Sequence, residues 1–278
     1  MSKFEPDKLL ISSDFYSVQG EGISTGVPSY FVRLSVCNLQ CGMSMAFLKN
    51  LKKEGPEKLA DGEIFKGDLE IEGKASWTCD STSQWAIRGE NMSFDYLINR
   101  WKEQGIYEDI KNGTIHIIWT GGEPTIKQHQ ESINNFLRYW YLIDKEVQEF
   151  NEIETNGTVY IEDELFDYLD QINCSPKLSN SGMTPKQRIH PEAIKRILDH
   201  PLYQFKFVIS TEDDVKEMFN DFITPYNIPL ENVVCMPGLD SQEDFHERTQ
   251  FILEMAKKYK FRGMTRLHIS AWDKTLNV

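Results

Sequence analysis

Cys37 and Cys41 form a C-x-x-x-C pair, and Cys79 follows with 37 residues between it and Cys41. Three thiolates can hold a cubane iron–sulfur cluster and leave one iron without a protein ligand, open to chelation by a small molecule. A closed structural zinc site asks instead for a fourth Cys or His. The set therefore points to a cluster, or, with a nearby His, to a zinc-binding module. Cys174 and Cys235 sit inside apolar runs and read as core residues, because free cysteine is among the most buried residue types. Further along lie Gly121-Gly122-Glu123-Pro124, Glu154-Thr155-Asn156-Gly157 and Ser175-Pro176-Lys177, short runs rich in donors, acceptors and close-approach glycines.

These runs need elements to position them. Apolar stretches that read as strands span 30–36, 114–119, 150–154, 171–174, 204–209, 233–236 and 266–269. Amphipathic stretches that read as helices lie near 93–104, 128–147, 191–200, 211–222 and 241–259. Alternation of this kind predicts a parallel sheet with crossover helices, hence an α/β fold, either a barrel or an open doubly wound sheet. In such folds reactive groups gather on the loops at the carboxyl ends of the strands. Cys37 and each of the three runs fall there. Residues 42–76, rich in Lys, Glu and Gly, break the alternation and read as an insertion in one domain spanning 1–278.

Composition narrows the class. With 40% hydrophobic and 26% charged residues the chain has the make-up of a globular protein. A formal net charge of −13 opposes binding to phosphate backbones, so no nucleic-acid partner is expected. No run approaches the roughly 18 apolar residues of a membrane span, and the polar N-terminus lacks a signal-peptide core, so no membrane partner and a cytoplasmic location are expected. Five cysteines, an odd number, argue in that setting against a disulfide framework and for metal binding or catalysis.

The opening Phe15-Tyr16-Ser17-Val18-Gln19-Gly20-Glu21-Gly22, then Gly26, Pro28, Phe31-Val32-Arg33-Leu34 and Cys37-Asn38-Leu39-Gln40-Cys41, resembles the 7-carboxy-7-deazaguanine synthases, a radical S-adenosylmethionine family. Cys79-Asp80-Ser81, the Gly-Gly-Glu-Pro run, Glu154 to Thr158, Ser175 to Leu178 and Leu267-His268 follow in the family's order. The resemblance covers nearly the whole chain apart from the insertion. Two departures stand out: the second and third cysteines are normally two residues apart, the second of them aromatic, whereas here Thr78 precedes Cys79 and Trp77 lies one place earlier. Ser81 also replaces the usual Thr.

The resemblance implies an incomplete parallel (βα)6-type barrel of the radical S-adenosylmethionine class, with the insertion inside its cluster loop. Cys37, Cys41 and Cys79 would hold a 4Fe-4S cluster. Gly121, Gly122, Glu123, Asn156, Ser175 and Lys177 would bind S-adenosyl-L-methionine. Ser81, with Asp80 ligating or positioning beside it, would contact Mg2+. The implied substrate is 6-carboxy-5,6,7,8-tetrahydropterin, read by Gln19, Glu21, Arg33 and His268, and the product is 7-carboxy-7-deazaguanine with loss of ammonia, a step of queuosine-type 7-deazapurine biosynthesis. An electron donor such as a flavodoxin and a homodimer are further implications. A glycyl-radical activase would share the cysteines and the Gly-Gly-Glu-Pro loop but would need a docking surface for a protein substrate.

Overall fold

The computed structural model describes residues 4–46, 48–49, 75–79, 81–87, 89–238, 242–273, 275 and 277. Most of the 42–76 insertion, and Asp80, lie outside the described residues. Nine strands form one sheet: β1 Lys8–Val18, β2 Pro28–Leu34, β3 Glu90–Ser93, β4 His116–Gly121, β5 Asn151–Thr155, β6 Gln171–Cys174, β7 Tyr203–Ile209, β8 Val233–Pro237 and β9 Arg262–Gly263. Their order is β3-β1-β2-β4-β5-β6-β7-β8-β9. From β2 to β9 every pairing is parallel, while β1 and β3 add antiparallel at one edge. The sheet ends in β3 and β9 without their pairing, which makes it an open, incomplete barrel with helices between its parallel strands.

Six of the seven expected strands are present, and one expectation is corrected. Residues 266–269 are not a strand: Leu267–Trp272 is a helix, and the last parallel position belongs to Arg262–Gly263, paired with Val234 and Cys235. A four-residue apolar run cannot distinguish the two states by periodicity. Here the Leu267 N–H donates to the Gly20 carbonyl at 3.0 Å, drawing the segment towards that loop instead of into the sheet. The sequence reading also lacked β1, where a register shift between Ile11 and Ser13 interrupts the two-residue alternation.

Alternation along the strands sorts two chemistries. Outward-facing Ile117, Trp119, Ile153, Ile172, Phe205 and Phe207 are fully buried in one apolar cluster. The helix Lys127–Ile143 adds Ile133, Phe136, Leu137 and Trp140 to this cluster, at the three-and-four spacing of one helical face, with the Phe136 ring 5.7 Å from that of Trp119, while Phe222 packs 5.5 Å from Phe207. Each such side chain contributes about 1.5–3 kcal/mol by burial. The inner face is polar. Glu152 meets His116 Nδ1 at 2.6 Å and accepts from Gln171 and Asn173, at 3.1 and 2.8 Å. Gln204 donates to Asn173 at 2.7 Å and accepts from the Ile23 N–H at 3.1 Å, and Ser24 reaches Gln171 at 3.1 Å. The loop after β1 is thus hydrogen-bonded to the inside of the sheet.

Candidate active site

A cavity of about 590 Å³ opens where the parallel strands end. All fourteen residues singled out from the sequence line it: Gln19, Glu21, Arg33, Cys37, Cys41, Cys79, Ser81, Gly121, Gly122, Glu123, Asn156, Ser175, Lys177 and His268. His268 arrives from the helix Leu267–Trp272, not from a strand.

The cysteine loop closes despite the insertion, and backbone does it. The Cys79 N–H donates to Cys41 O at 3.2 Å, the Gly42 N–H to Ser181 O at 2.8 Å and the Ser76 N–H to Asn180 O at 2.8 Å. Trp77 Nε1 donates to Asn180 Oδ1 at 3.0 Å, and Asn180 Nδ2 to the Val208 carbonyl of β7 at 2.9 Å. Gly42 has φ +73°, and a Cβ there would lie 2.3 Å from the Trp77 carbonyl oxygen, so the two ends of the insertion cross at a point that tolerates only glycine. Ends held this way make the length between them cheap, because loop-closure entropy grows slowly with length.

Burial pushes the Cys37 thiol well above its ordinary range, with the nearby Glu123 charge adding to it. Burial likewise pushes Cys41 up to about 12, against the opposing charge of Lys177. The Cys79 sulfur is close enough to both to add to the shifts of Cys37 and Cys41. Among the described residues no three His, Cys, Asp or Glu side chains close on a point suited to one metal ion. A cubane spreads its ligands over separate iron corners and so asks for wider spacing. The donor set of three thiols beside an open cavity fits a 4Fe-4S cluster, whose loading would release the thiol protons. Ser81 Oγ lies 3.5 Å from Cys79 Sγ at the same rim.

Next to the cysteines, β4 ends in Gly121-Gly122. A Cβ on Gly122 would stand 1.8 Å from the Val36 carbonyl oxygen, just ahead of Cys37, so strand end and cysteine loop touch backbone to backbone. Glu123 is 1% exposed. Its Oε1 accepts from the Thr125 N–H (3.0 Å), Thr125 Oγ1 (2.6 Å) and Thr155 Oγ1 (2.7 Å), and Oε2 from the Asn156 N–H (2.7 Å). Burial outweighs these donors and raises its pKa. Asn156 donates to Asn38 Oδ1 at 2.9 Å, tying the third strand-end loop to the cysteine loop. Lys177 donates to Ser175 Oγ at 3.1 Å and lies 5.7 Å from the Trp77 ring centre.

On the far side Arg33 stands 4.7 Å from the Phe15 ring centre, its Nη1 donating to Asn277 Oδ1 at 2.8 Å. Glu21 accepts from Lys206 Nζ at 3.1 Å and Arg266 Nε at 2.8 Å. Burial alone would raise the Glu21 carboxyl, but the charges of Lys206 and Arg266, with His268 beyond them, hold it well below the usual carboxylate range. Lys206, 3% exposed, also donates to Glu154 Oε1 at 3.1 Å. Sequence reasoning passed over Lys206 and Arg266, and took Glu154 only as part of a loop motif. The missed signal is a lysine in the middle of an apolar strand, Tyr203–Ile209, on the face opposite the phenylalanines.

Proteins similar to this chain include the 7-carboxy-7-deazaguanine synthase of Pyrobaculum aerophilum, 30% identical over 262 residues and covering 93% of this chain and 92% of that one. The 7-carboxy-7-deazaguanine synthase of Aquifex aeolicus is 27% identical over 270 residues, covering 94% and 93% of the two chains. No family model matches. The crystal structure of QueE from Escherichia coli shares the fold, with a TM-score of 0.57 at 20% identity over 94% of this chain and 95% of that one.

Proposed function

The chain belongs to the 7-carboxy-7-deazaguanine synthase family, and from that premise we propose that its strand-end cavity converts 6-carboxy-5,6,7,8-tetrahydropterin to 7-carboxy-7-deazaguanine with loss of ammonia. The observation that carries this reading is the meeting of three cysteines, a glycine-lined strand end and a cationic and carboxylate-bearing far wall around one space. When bound, the cluster and S-adenosylmethionine supply one-electron cleavage of the sulfonium and a hydrogen-abstracting radical, chemistry that belongs to the cofactors.

The chain's own part is positioning and shielding. Cys37, Cys41 and Cys79 would hold the cluster, three thiolates that leave one iron without a protein ligand. Gly121 and Gly122 let backbone approach the methionine amine, and Glu123, locked by Thr125, Thr155 and Asn156, supplies fixed negative charge behind it. Asn156, Ser175 and Lys177 offer donors to the methionine carboxylate and the ribose, with the loop after β5 held towards the cysteine loop by the Asn156–Asn38 bond. Arg33 receives the substrate carboxylate, a planar fork for two parallel hydrogen bonds. Gln19 and Glu21 read the amino and N–H groups of the pterin edge, and His268 lines the same wall.

Ser81 would offer its hydroxyl to Mg2+, an ion that prefers oxygen ligands and keeps part of its water. Family resemblance further supports a homodimer and a flavodoxin-type electron donor. The deciding experiment is an anaerobic reaction of the reconstituted, reduced protein with S-adenosylmethionine, Mg2+ and the carboxylated tetrahydropterin, followed by mass analysis. The expected products are 5'-deoxyadenosine and 7-carboxy-7-deazaguanine together. 5'-Deoxyadenosine alone would overturn the substrate, and a rate indifferent to Mg2+ would remove Ser81 from any metal.

A further inference from the structure

Glu154, Lys206, Glu21 and Gln19 close into a ring. Lys206 Nζ bridges Glu154 Oε1 and Glu21 Oε2, both at 3.1 Å. The Glu21 N–H donates to Gln19 Oε1 at 3.2 Å, and Gln19 Nε2 returns to Glu154 Oε1 at 3.3 Å. Two members, Lys206 and Glu154, stand on strands β7 and β5, with β6 between them. The other two are on the loop after β1. Thr120 Oγ1 of β4 donates to Glu154 Oε2 at 2.7 Å, so the carboxylate that anchors the ring is itself fixed from a third strand. Lys206 is 3% exposed at its side chain and Gln19 is 2% exposed.

We propose that the Glu154–Lys206 pair is a positioning device for substrate, fixing Gln19 and Glu21 in the one arrangement that presents an acceptor pair to the donor edge of an aminopyrimidinone ring. The proposal rests on the pterin reading above and adds to it two residues that need not touch the substrate. An ammonium with two carboxylates at 3.1 Å has its direction set by both, and truncating it leaves two partly enclosed carboxylates, 12% and 22% exposed, without the cation between them, with Arg266 against Glu21 and His268 beyond it. Glu21 then keeps Arg266 but loses the Lys206 charge that helped hold its carboxyl low, so it takes up a proton at higher pH than in the native ring. A protonated Glu21 offers a donor where the ring edge also presents donors.

The sign of the pH effect follows from the groups facing Glu21: Lys206, Arg266 and His268 from β7 and the C-terminal segment, with Glu154 behind Lys206. In the native ring Glu21 stays ionised well into the acid range, so pterin binding is flat there. Without Lys206 its pKa rises, and binding is lost as pH falls through the raised value.

The test is equilibrium binding of fluorescent 6-carboxypterin to the cluster-loaded, S-adenosylmethionine-bound protein across pH. In Lys206→Met the pterin Kd should rise about 10- to 100-fold, the loss expected for a hydrogen-bonded charged group. The acid limb should move towards neutrality, S-adenosylmethionine affinity should hold, and Lys206→Arg should restore part of the loss. Lys206→Met with wild-type pterin affinity and pH profile overturns the proposal, as does an equal loss of S-adenosylmethionine affinity, the mark of general loosening. If Lys206→Met fails to fold, the paired Glu154→Gln/Lys206→Met variant, neutral at both positions, takes its place. It should fold and show the same weakened pterin binding, and wild-type affinity there overturns the proposal equally. Wild-type protein that binds S-adenosylmethionine but not the pterin would instead sink the substrate reading itself.

Discussion

Cys37, Cys41 and Cys79 stand on loops, and backbone holds them: the Cys79 N–H on Cys41 O, the Gly42 N–H on Ser181 O, the Gly122 backbone against Val36. Among the described residues, the apolar cluster beside them is a small one of Met43, Leu48, Trp85 and Ala86. Across the cavity, Glu154 and Lys206 stand on strands and are joined to Glu21 and Arg266 by charge. The cysteine rim is therefore sensitive to added volume and to breaks in the main chain, and the opposite wall to changes in charge. On the proposed reading the rim would receive a cluster, and its backbone clasps hold the three cysteines near one another without that ligand. The wall needs no assembly, because its ion pairs form with the sheet.

The largest contrast comes from removing a sulfur. Cys79→Ala should lose the brown chromophore, most of the iron and all measurable 5'-deoxyadenosine and deazaguanine product. The thermal midpoint should change little, since Cys79 is only partly buried at the edge of its cluster. A Cys79→Ala protein with full iron and activity would show that the loop beyond the insertion supplies no ligand. Next is volume at the rim. Gly122→Ala puts a methyl 1.8 Å from the Val36 carbonyl oxygen, and the forced backbone shift should cost about 2–4 kcal/mol in chemical denaturation. S-adenosylmethionine affinity should fall further than pterin affinity. Equal losses would erase the distinction between the two walls.

Acid separates the two regions by the pH window in which each loses its contribution. His129, on the helix Lys127–Ile143, meets the Ser35 carbonyl through Nε2 at 2.5 Å, two residues before Cys37. Its Nδ1 has no partner among the described residues. Burial outweighs that carbonyl and lowers its pKa to about 4. A histidine whose folded pKa lies below its unfolded value of about 6.5 favours the fold in its neutral form. Its contribution is complete above the unfolded pKa and is lost as pH falls from about 6.5 towards 4, by up to about 3 kcal/mol. Glu21, held low, contributes above the ordinary carboxylate pKa and loses that contribution only below it. Denaturation midpoints should thus fall between pH 6.5 and 4.5 in the wild type and flatten in His129→Gln. An unchanged slope in that variant would move the acid sensitivity elsewhere.

How much was legible in the sequence follows the same division. Cys37, Cys41, Cys79 and the Gly121-Gly122-Glu123 turn could be picked out by residue type and spacing, Gln19 and Glu21 by the family resemblance of the opening, and the structure brings all of these to one cavity. The strands were legible from runs such as Gln204–Ile209, where Phe205, Phe207 and Ile209 face the core. The polar inner face was written in the same strands, as Glu152 and Glu154, Gln171 and Asn173, Gln204 and Lys206 at two-residue spacing. Its meaning was hidden because a polar residue in a strand reads as solvent-facing until the sheet is known to curve. The helix at Leu267 was hidden for another reason: its hydrogen bond to Gly20 joins residues at opposite ends of the chain.

The smallest expected effect tests whether the rim is held by main chain or by side chains. Ser76 ends the insertion with two links: its N–H donates to Asn180 O at 2.8 Å, and its exposed hydroxyl lies 3.3 Å from Ser210 Oγ. Ser76→Ala removes only the second, a long bond between solvated groups that exchange readily with water, so it should cost less than about 0.5 kcal/mol and leave iron content unchanged. The link that remains feeds into Asn180, which also receives Trp77 and donates to β7. A measurable loss of cluster in Ser76→Ala, read as iron per protein at equal folding, would mean that hydroxyl contacts hold the ends of the insertion. In that case the backbone clasp at Gly42 and Cys79 would be a consequence of their approach and not its cause.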